Sequence, residues 1–322
     1  MKKLKQIEAM STLTNSKYAK AYSVQEAIAL AQANPGFSFL AGGTDVMVNI
    51  QQGTLDTSML IDISAIAELK TIRLNNDELV IGSMATLYQV ASDSLVSAHL
   101  PTLRQAALSI ATPTIRQSAT IGGNLLCENR CSFYNQSEWW REAVGYCLKC
   151  DGDICIATGG KKNCFSRFVS DTAPVLIAQQ ATVTLSDGQS LQTIPIESLY
   201  SGDGVISLKK KKEHILVDIR IPVKKTLHAV FRKLRPRKTL DFTSLTTAVA
   251  LTSENEWRIV IGGVDPQPVL LIFNATDDTE EIVNKCMKKP RIVDNDFYSR
   301  KHRKDIIGHF VLESLTELLT YK

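Results

Sequence analysis

The chain has 322 residues, 44% of them hydrophobic and 22% charged, with a formal net charge of +4. That leaves room for about two globular domains at roughly 100–200 residues each, and the charge is too small and too dispersed for nucleic-acid binding. No apolar stretch reaches the ~18 residues of a membrane span, and the basic start at residues 1–5 meets no apolar h-region, so no membrane association and a cytoplasmic location with reduced thiols are expected.

In chain order, residues 23–33 carry helical apolar spacing with Ser23 as N-cap. Residues 37–41 are a short apolar run ending in Gly42-Gly43, the pattern of a strand entering a turn. Residues 59–63 and 78–81 read as strands, and 87–90 and 101–111 as helices, the second with Pro101 in its first turn. From residue 127 to 166 neither period 2 nor period 3.6 is sustained, and so long an irregular segment in a compact chain tends to be functional. Regularity resumes with a helix begun at Asp171 and a strand at 182–185. The lysine run at 209–212 reads as a solvated turn, and 215–221 as an alternating strand closed by Pro222. A domain boundary is placed near 222–226. Beyond it, 246–252 and 257–261 read as strands, Gly262-Gly263 as a turn, and 305–319 as a closing helix.

Two diglycine turns stand out: Leu40-Ala41-Gly42-Gly43-Thr44-Asp45-Val46 and Ala119-Thr120-Ile121-Gly122-Gly123-Asn124. Successive backbone N–H groups in such turns can bind pyrophosphate oxygens, and the missing Cβ atoms let a ligand approach the backbone. Neither has the G-x-G-x-x-G spacing of a Rossmann fold. Taken singly, each is more simply a tight turn.

Six of the seven cysteines, Cys127, Cys131, Cys147, Cys150, Cys155 and Cys164, fall in one stretch, with only Cys286 elsewhere. Where thiols stay reduced, this clustering points to metal rather than disulfides. Four thiolates suffice for a 4Fe–4S cluster and equally for a tetrahedral zinc ion. Cys127/Cys131 and Cys147/Cys150 have spacings credible for zinc. The residues alone do not separate the two.

AGGTD at 41–45, TIGGN at 120–124, SDTAP at 170–174, Phe231-Arg232-Lys233 and Ala248-Val249-Ala250-Leu251 occur in that order. The series resembles the FAD-binding subunit of the xanthine dehydrogenase and carbon monoxide dehydrogenase family over nearly the whole chain. The resemblance implies an α+β fold. A two-subdomain FAD-binding domain of the PCMH, vanillyl-alcohol-oxidase-like type would occupy 1–224, with the cysteine-rich insertion at about 126–168. A small α+β C-terminal domain would follow at 225–322.

The resemblance also implies that Ala41, Gly42, Gly43, Thr44, Asp45 and Val46, with Leu40 before them, cradle the FAD pyrophosphate and ribityl chain. Thr120, Gly122, Gly123 and Asn124 would share that task. Ile110, Ala111, Asp171, Leu216 and Lys233 stand at further cofactor contacts, with Lys233 as a cation near the flavin ring.

The insertion resembles that of the 4-hydroxybenzoyl-CoA reductase β subunit, on Arg130-Cys131, Tyr134-Asn135-Gln136, Trp140-Arg141, Cys147, Asp151-Gly152-Asp153-Ile154-Cys155 and Cys164. This implies a 4Fe–4S cluster on Cys131, Cys147, Cys155 and Cys164, with Cys127 and Cys150 as spare thiols. Phe133, Tyr134, Trp139 and Trp140 are expected to pack around it.

The function implied is electron transfer within a molybdenum hydroxylase or reductase, with the substrate chemistry on other subunits. Partners would be a large molybdopterin-binding subunit and a small 2Fe–2S subunit, with ferredoxin or NAD as external carrier. Three alternatives stay open. One is the flavin subunit of a xanthine or aldehyde dehydrogenase with structural zinc in the insertion. The others are a zinc-stabilised scaffold without flavin and a free-standing flavin oxidase of the vanillyl-alcohol type.

Overall fold

The computed structural model describes residues 16–321. The first sheet is parallel, with β1 (Lys17–Lys20) and β2 (Phe37–Leu40) flanking β3 (Met59–Asp62). Parallel strands need crossover connections, and α1 (Val24–Ala33) supplies one. The Ser23 hydroxyl accepts from the Glu26 N–H, so the helix starts where its cap predicts. Its apolar face, Val24, Ala27, Ile28 and Ala31, is buried with Phe37 and Ile61. The first diglycine bend follows β2, and α2 (Val46–Gln51) leads back to β3. The bend therefore lies at the carboxyl end of a parallel strand, where open α/β sheets bind ligands.

The second sheet is antiparallel and holds β4 (Ile72–Asn75), β5 (Glu78–Gly82), β6 (Thr182–Ser186), β7 (Leu191–Pro195) and β8 (Ile215–Pro222), in the order β4-β5-β8-β6-β7. Between β5 and β6 the chain forms α3 (Leu87–Ser92), α4 (Ser94–His99), α5 (Pro101–Leu108), α6 (Pro113–Ser118) and α7 (Ile121–Leu125). The cysteine insertion follows with α8 (Glu138–Val144), and α9 (Thr172–Ala178) leads into β6.

The third sheet is an antiparallel meander of β9 (Thr226–Leu234), β10 (Leu245–Thr252), β11 (Glu256–Gly262) and β12 (Val269–Asn274). Helix α9 packs on β10 and β11, and α11 (Arg300–Leu319), paired with α10 (Thr279–Lys288), packs on β9 and β10. Every residue of β10 is buried, which is why its sequence shows no alternation.

The chain passes from the second sheet to the third between Pro222 and Thr226. One apolar cluster lies wholly beyond that point, with Leu245, Val249, Ile259 and Ile307 among its members, but another crosses it. Phe231, Ala248, Ala250 and Val260 share one cluster with Leu79, Val183 and Ile219.

Three expectations change. Helix α5 ends at Leu108 rather than 111, because Ser109 caps back on Ala106 and Ala111 takes φ 46°. Residues 121–125 are a helical turn capped by Thr120, not a simple bend. The insertion contains α8, N-capped by Ser137, too short for its period to show. Among the described residues, no helix is long and apolar enough to cross a membrane.

Candidate functional site

A cavity of about 520 Å³ opens between the first and second sheets. That volume lies within the roughly 300–1,000 Å³ of small-molecule sites. Of the cofactor contacts expected from sequence, only Leu40 is absent from its wall. The first bend contributes Ala41, Gly42, Gly43, Thr44, Asp45 and Val46, and the second Thr120, Gly122, Gly123 and Asn124. Ile110, Ala111, Asp171, Leu216 and Lys233 complete the expected set.

The two bends do different work. In the second, the N–H of Ile121 donates to Ala85 O, that of Gly122 to Ser83 O, that of Gly123 to Thr120 Oγ1 and that of Asn124 to Thr120 O. Those four amides are therefore already paired within the chain, while Thr120, Gly122, Gly123 and Asn124 still line the cavity. In the first, the N–H groups of Gly42, Gly43, Thr44, Asp45 and Val46 meet no acceptor among the described residues. Five successive free amides ahead of a helix form a concavity suited to an anion.

The glycines also meet close packing constraints of their own. A Cβ on Gly42 would lie 1.8 Å from Ser118 O, and one on Gly122 would lie 2.7 Å from Ser83 Cβ and O. Close packing against Ser118 and Ser83 is by itself enough to require glycine at both positions. Gly43 has φ 73°, and Gly123 would meet only Thr120 Oγ1, at 3.0 Å.

Asp171 and Lys233 form a buried ion pair at 2.6 Å, and Lys233 also donates to Ser109 O. Lys233 thus lines the cavity as half of an ion pair. Burial raises the Asp171 pKa, against the opposing pull of Lys233. Asp171 Oδ1 is buried and accepts no hydrogen bond among the described residues. A bound ligand carrying a hydroxyl or N–H would satisfy it, removing a cost of roughly 1–3 kcal/mol.

Sequence reasoning missed several walls. Phe39, Ile63 and Met84 line one side, and Leu240 and Phe242 of the β9–β10 connection another. Ordinary apolar residues give no local signal for this role. Lys210 lines the cavity too, so the lysine run is not wholly a solvated turn.

Asp45 joins the first bend to the insertion. Its carboxylate meets Arg130 Nη1 at 3.4 Å and accepts from the Glu128 N–H at 3.4 Å. Arg130 also lies 4.0 Å over the Phe242 ring, a cation–π contact.

Cys131, Cys147, Cys155 and Cys164 line a second, small cavity, together with Phe133 and Tyr134. Trp139 does not pack there as expected; it is 69% exposed on α8. Local bonds set the cysteine positions. Cys147 O accepts from the N–H groups of Cys150 and Gly152, Cys155 N–H donates to Gly160 O, and Cys164 N–H donates to Asp203 Oδ2. Lys149, bonded to Glu128 and Gly204 O, ties the loop to the body of the chain. A hydrogen bond from Cys150 pulls the Cys147 thiol down to about 6, while burial pushes Cys131 up to about 11. Cys127 lines the larger cavity instead, and Cys286 is buried in the core against α11.

A cavity with an amide-rich bend on a parallel strand and long apolar walls defines a nucleotide-cofactor-binding α+β protein. Residues 12–224 match the family described as the FAD binding domain in molybdopterin dehydrogenase, and the chain belongs to that family. It is 29% identical over 259 residues to the xanthine dehydrogenase FAD-binding subunit of Escherichia coli O157:H7, covering 78% of this chain and 75% of that protein. It is 28% identical over 250 residues to the carbon monoxide dehydrogenase medium chain of Hydrogenophaga pseudoflava, covering 76% and 73%. The solved carbon monoxide dehydrogenase of Hydrogenophaga pseudoflava has a chain of the same fold, with TM-score 0.74 and 21% identity, covering 94% of this chain and 96% of that one. The protein is thus an FAD-binding oxidoreductase subunit of the molybdenum hydroxylase class. The free amides of the first bend and the orphaned Asp171 Oδ1 suit a ligand carrying phosphates and hydroxyls, as FAD does.

Proposed function

We propose that this subunit relays electrons between an external carrier and metal centres on partner subunits, through FAD and a 4Fe–4S cluster of its own. This is the role of a 4-hydroxybenzoyl-CoA reductase-like β subunit. The observation that carries it is the sorting of the cysteines. The four that resemble the reductase's ligands line one cavity, and Cys127 lines another. The rival zinc set is not gathered in one place: Cys131 and Cys147 line the small cavity, Cys127 lines the larger one, and Cys150 lines neither.

FAD supplies one- and two-electron exchange when bound. The chain's own part is to hold it. The amides of Gly42 to Val46 receive the diphosphate, Asp171 Oδ1 accepts from a hydroxyl or N–H, and Ile110, Ala111 and Leu216 give apolar walls to the ring systems. Around the cysteines, Phe133 and Tyr134 exclude water.

The partners in this reading are a large molybdopterin-binding subunit and a small 2Fe–2S subunit. The similarity to a medium chain and to an FAD-binding subunit supports a multi-subunit assembly. A low-potential ferredoxin is the proposed carrier, with NAD as the alternative. The cytoplasm is the proposed location, since thiolate ligands need reducing conditions. In this reading residues 1–224 form the FAD-binding domain and 225–322 the C-terminal domain.

The test is Cys155→Ser, purified without oxygen. Iron and sulfide should be lost while FAD remains. Undiminished iron would refute this ligand set.

A further inference from the structure

The charged walls of the flavin cavity pair off, with one exception. Asp45 meets Arg130 at 3.4 Å and Asp171 meets Lys233 at 2.6 Å. Asp241 is held by Arg237 at 2.6 Å. Lys210 lines the same cavity, and no carboxylate of the described residues forms an ion pair with it. Its ammonium turns back onto its own loop, 3.1 Å from Lys211 O, 3.5 Å from Lys212 O and 2.9 Å from His214 O. Carbonyl dipoles solvate an ammonium but carry no net charge, so this wall keeps a positive charge. Its sequence neighbours Lys209 and Lys211 are exposed, so the lysine run puts one member inside and the others in water. Burial pushes the Lys210 ammonium down to about 8, opposed by Glu213. The fold therefore holds this cation at a cost that a negatively charged ligand would offset.

We propose that Lys210, rather than Lys233, is the positive charge that the cavity directs at the bound flavin nucleotide. The inference rests on the reading that FAD fills this cavity. The negative charge it faces has two sources on one ligand: the diphosphate, or the ring once it is reduced. If Lys210 served only to lock its turn, flavin binding would not depend on its charge.

The test is titration of the flavin-stripped full chain with FAD, FMN and riboflavin, followed by flavin fluorescence, on wild type, Lys210→Met, Lys210→Arg and Leu216→Trp. If the diphosphate is the source, Lys210→Met should weaken FAD binding about tenfold and Lys210→Arg should restore most of it. Riboflavin affinity is then unchanged. If the reduced ring is the source, oxidised FAD binds normally, and the two-electron potential falls by about 30 mV, the equivalent of a tenfold loss. Unchanged FAD affinity together with an unchanged potential in Lys210→Met would overturn the proposal. Leu216→Trp fills the cavity without altering Lys210. If it leaves all three affinities intact, the flavin lies elsewhere and the underlying reading fails instead.

Discussion

Lys233 Nζ lies 2.6 Å from Asp171 Oδ2, and each side chain is only 5% exposed. The two come from β9 and from the start of α9, so the pair ties the third sheet to the wall of the flavin cavity. A buried pair is weak evidence of net stabilisation, but breaking one strands a charge. Lys233→Met alone should therefore destabilise the flavin-free chain by about 3–5 kcal/mol. The double variant Asp171→Asn, Lys233→Met should recover more than half of that loss. Urea unfolding of the three proteins measures it. A single variant as stable as wild type would show the pair to be unimportant.

The diglycine bends make a second prediction. Gly122→Ala places a methyl 2.7 Å from Ser83, whose backbone also accepts the Gly122 N–H. Overpacking of this kind costs about 1–3 kcal/mol, so the melting temperature should fall even without flavin. Gly123→Ala meets only Thr120 Oγ1 and should leave the melting temperature nearly unchanged. Equal losses in the two variants would contradict the packing argument. On the packing argument, a flavin-free Gly122→Val preparation would report a damaged fold, not a blocked phosphate.

Much of the site was legible because its parts are continuous in sequence. The strand before Gly42, the Ser23 cap and the clustered cysteines are local features. The pairing of Lys233 with Asp171 was not legible, since 62 residues separate them. Nor was the use of the second bend's amides, which depends on Ser83 and Ala85 arriving from β5. Lys210 was misread because three of its neighbours in sequence are lysines and burial is set by tertiary packing. The edge strands β1 and β7 are largely exposed, so they lacked the apolar alternation that marks a strand.

The pH dependence follows from Lys210, whose folded value of about 8 lies below its ordinary one. From about pH 8 to 10 the unfolded chain binds this proton and the folded chain does not. This group's contribution to apo stability therefore rises with pH across that window. FAD affinity should move the opposite way, falling above about pH 8 as the charge is lost. Glu213 is the carboxylate whose field opposes the shift, so Glu213→Gln should move the fall to lower pH. Flavin titrations between pH 7 and about 9.5 test this. A flat profile would contradict it.

The cysteine assignment predicts a clean division among single variants. Cys127→Ser and Cys150→Ser should keep their iron, since neither thiol lines the small cavity. Cys131→Ser, Cys147→Ser and Cys164→Ser should lose it. Cys127→Ser should instead perturb the flavin absorbance, because Cys127 lines the larger cavity. Iron loss on removing Cys127 or Cys150 would reopen the zinc-type allocation.

The most direct check of the whole account is chemical: purify the wild-type chain anaerobically and quantify flavin, iron, acid-labile sulfide and zinc per polypeptide. Two cofactors held in two separate cavities predict about one FAD, with about four irons and four sulfides. One zinc without sulfide, or a colourless protein free of flavin, would contradict it.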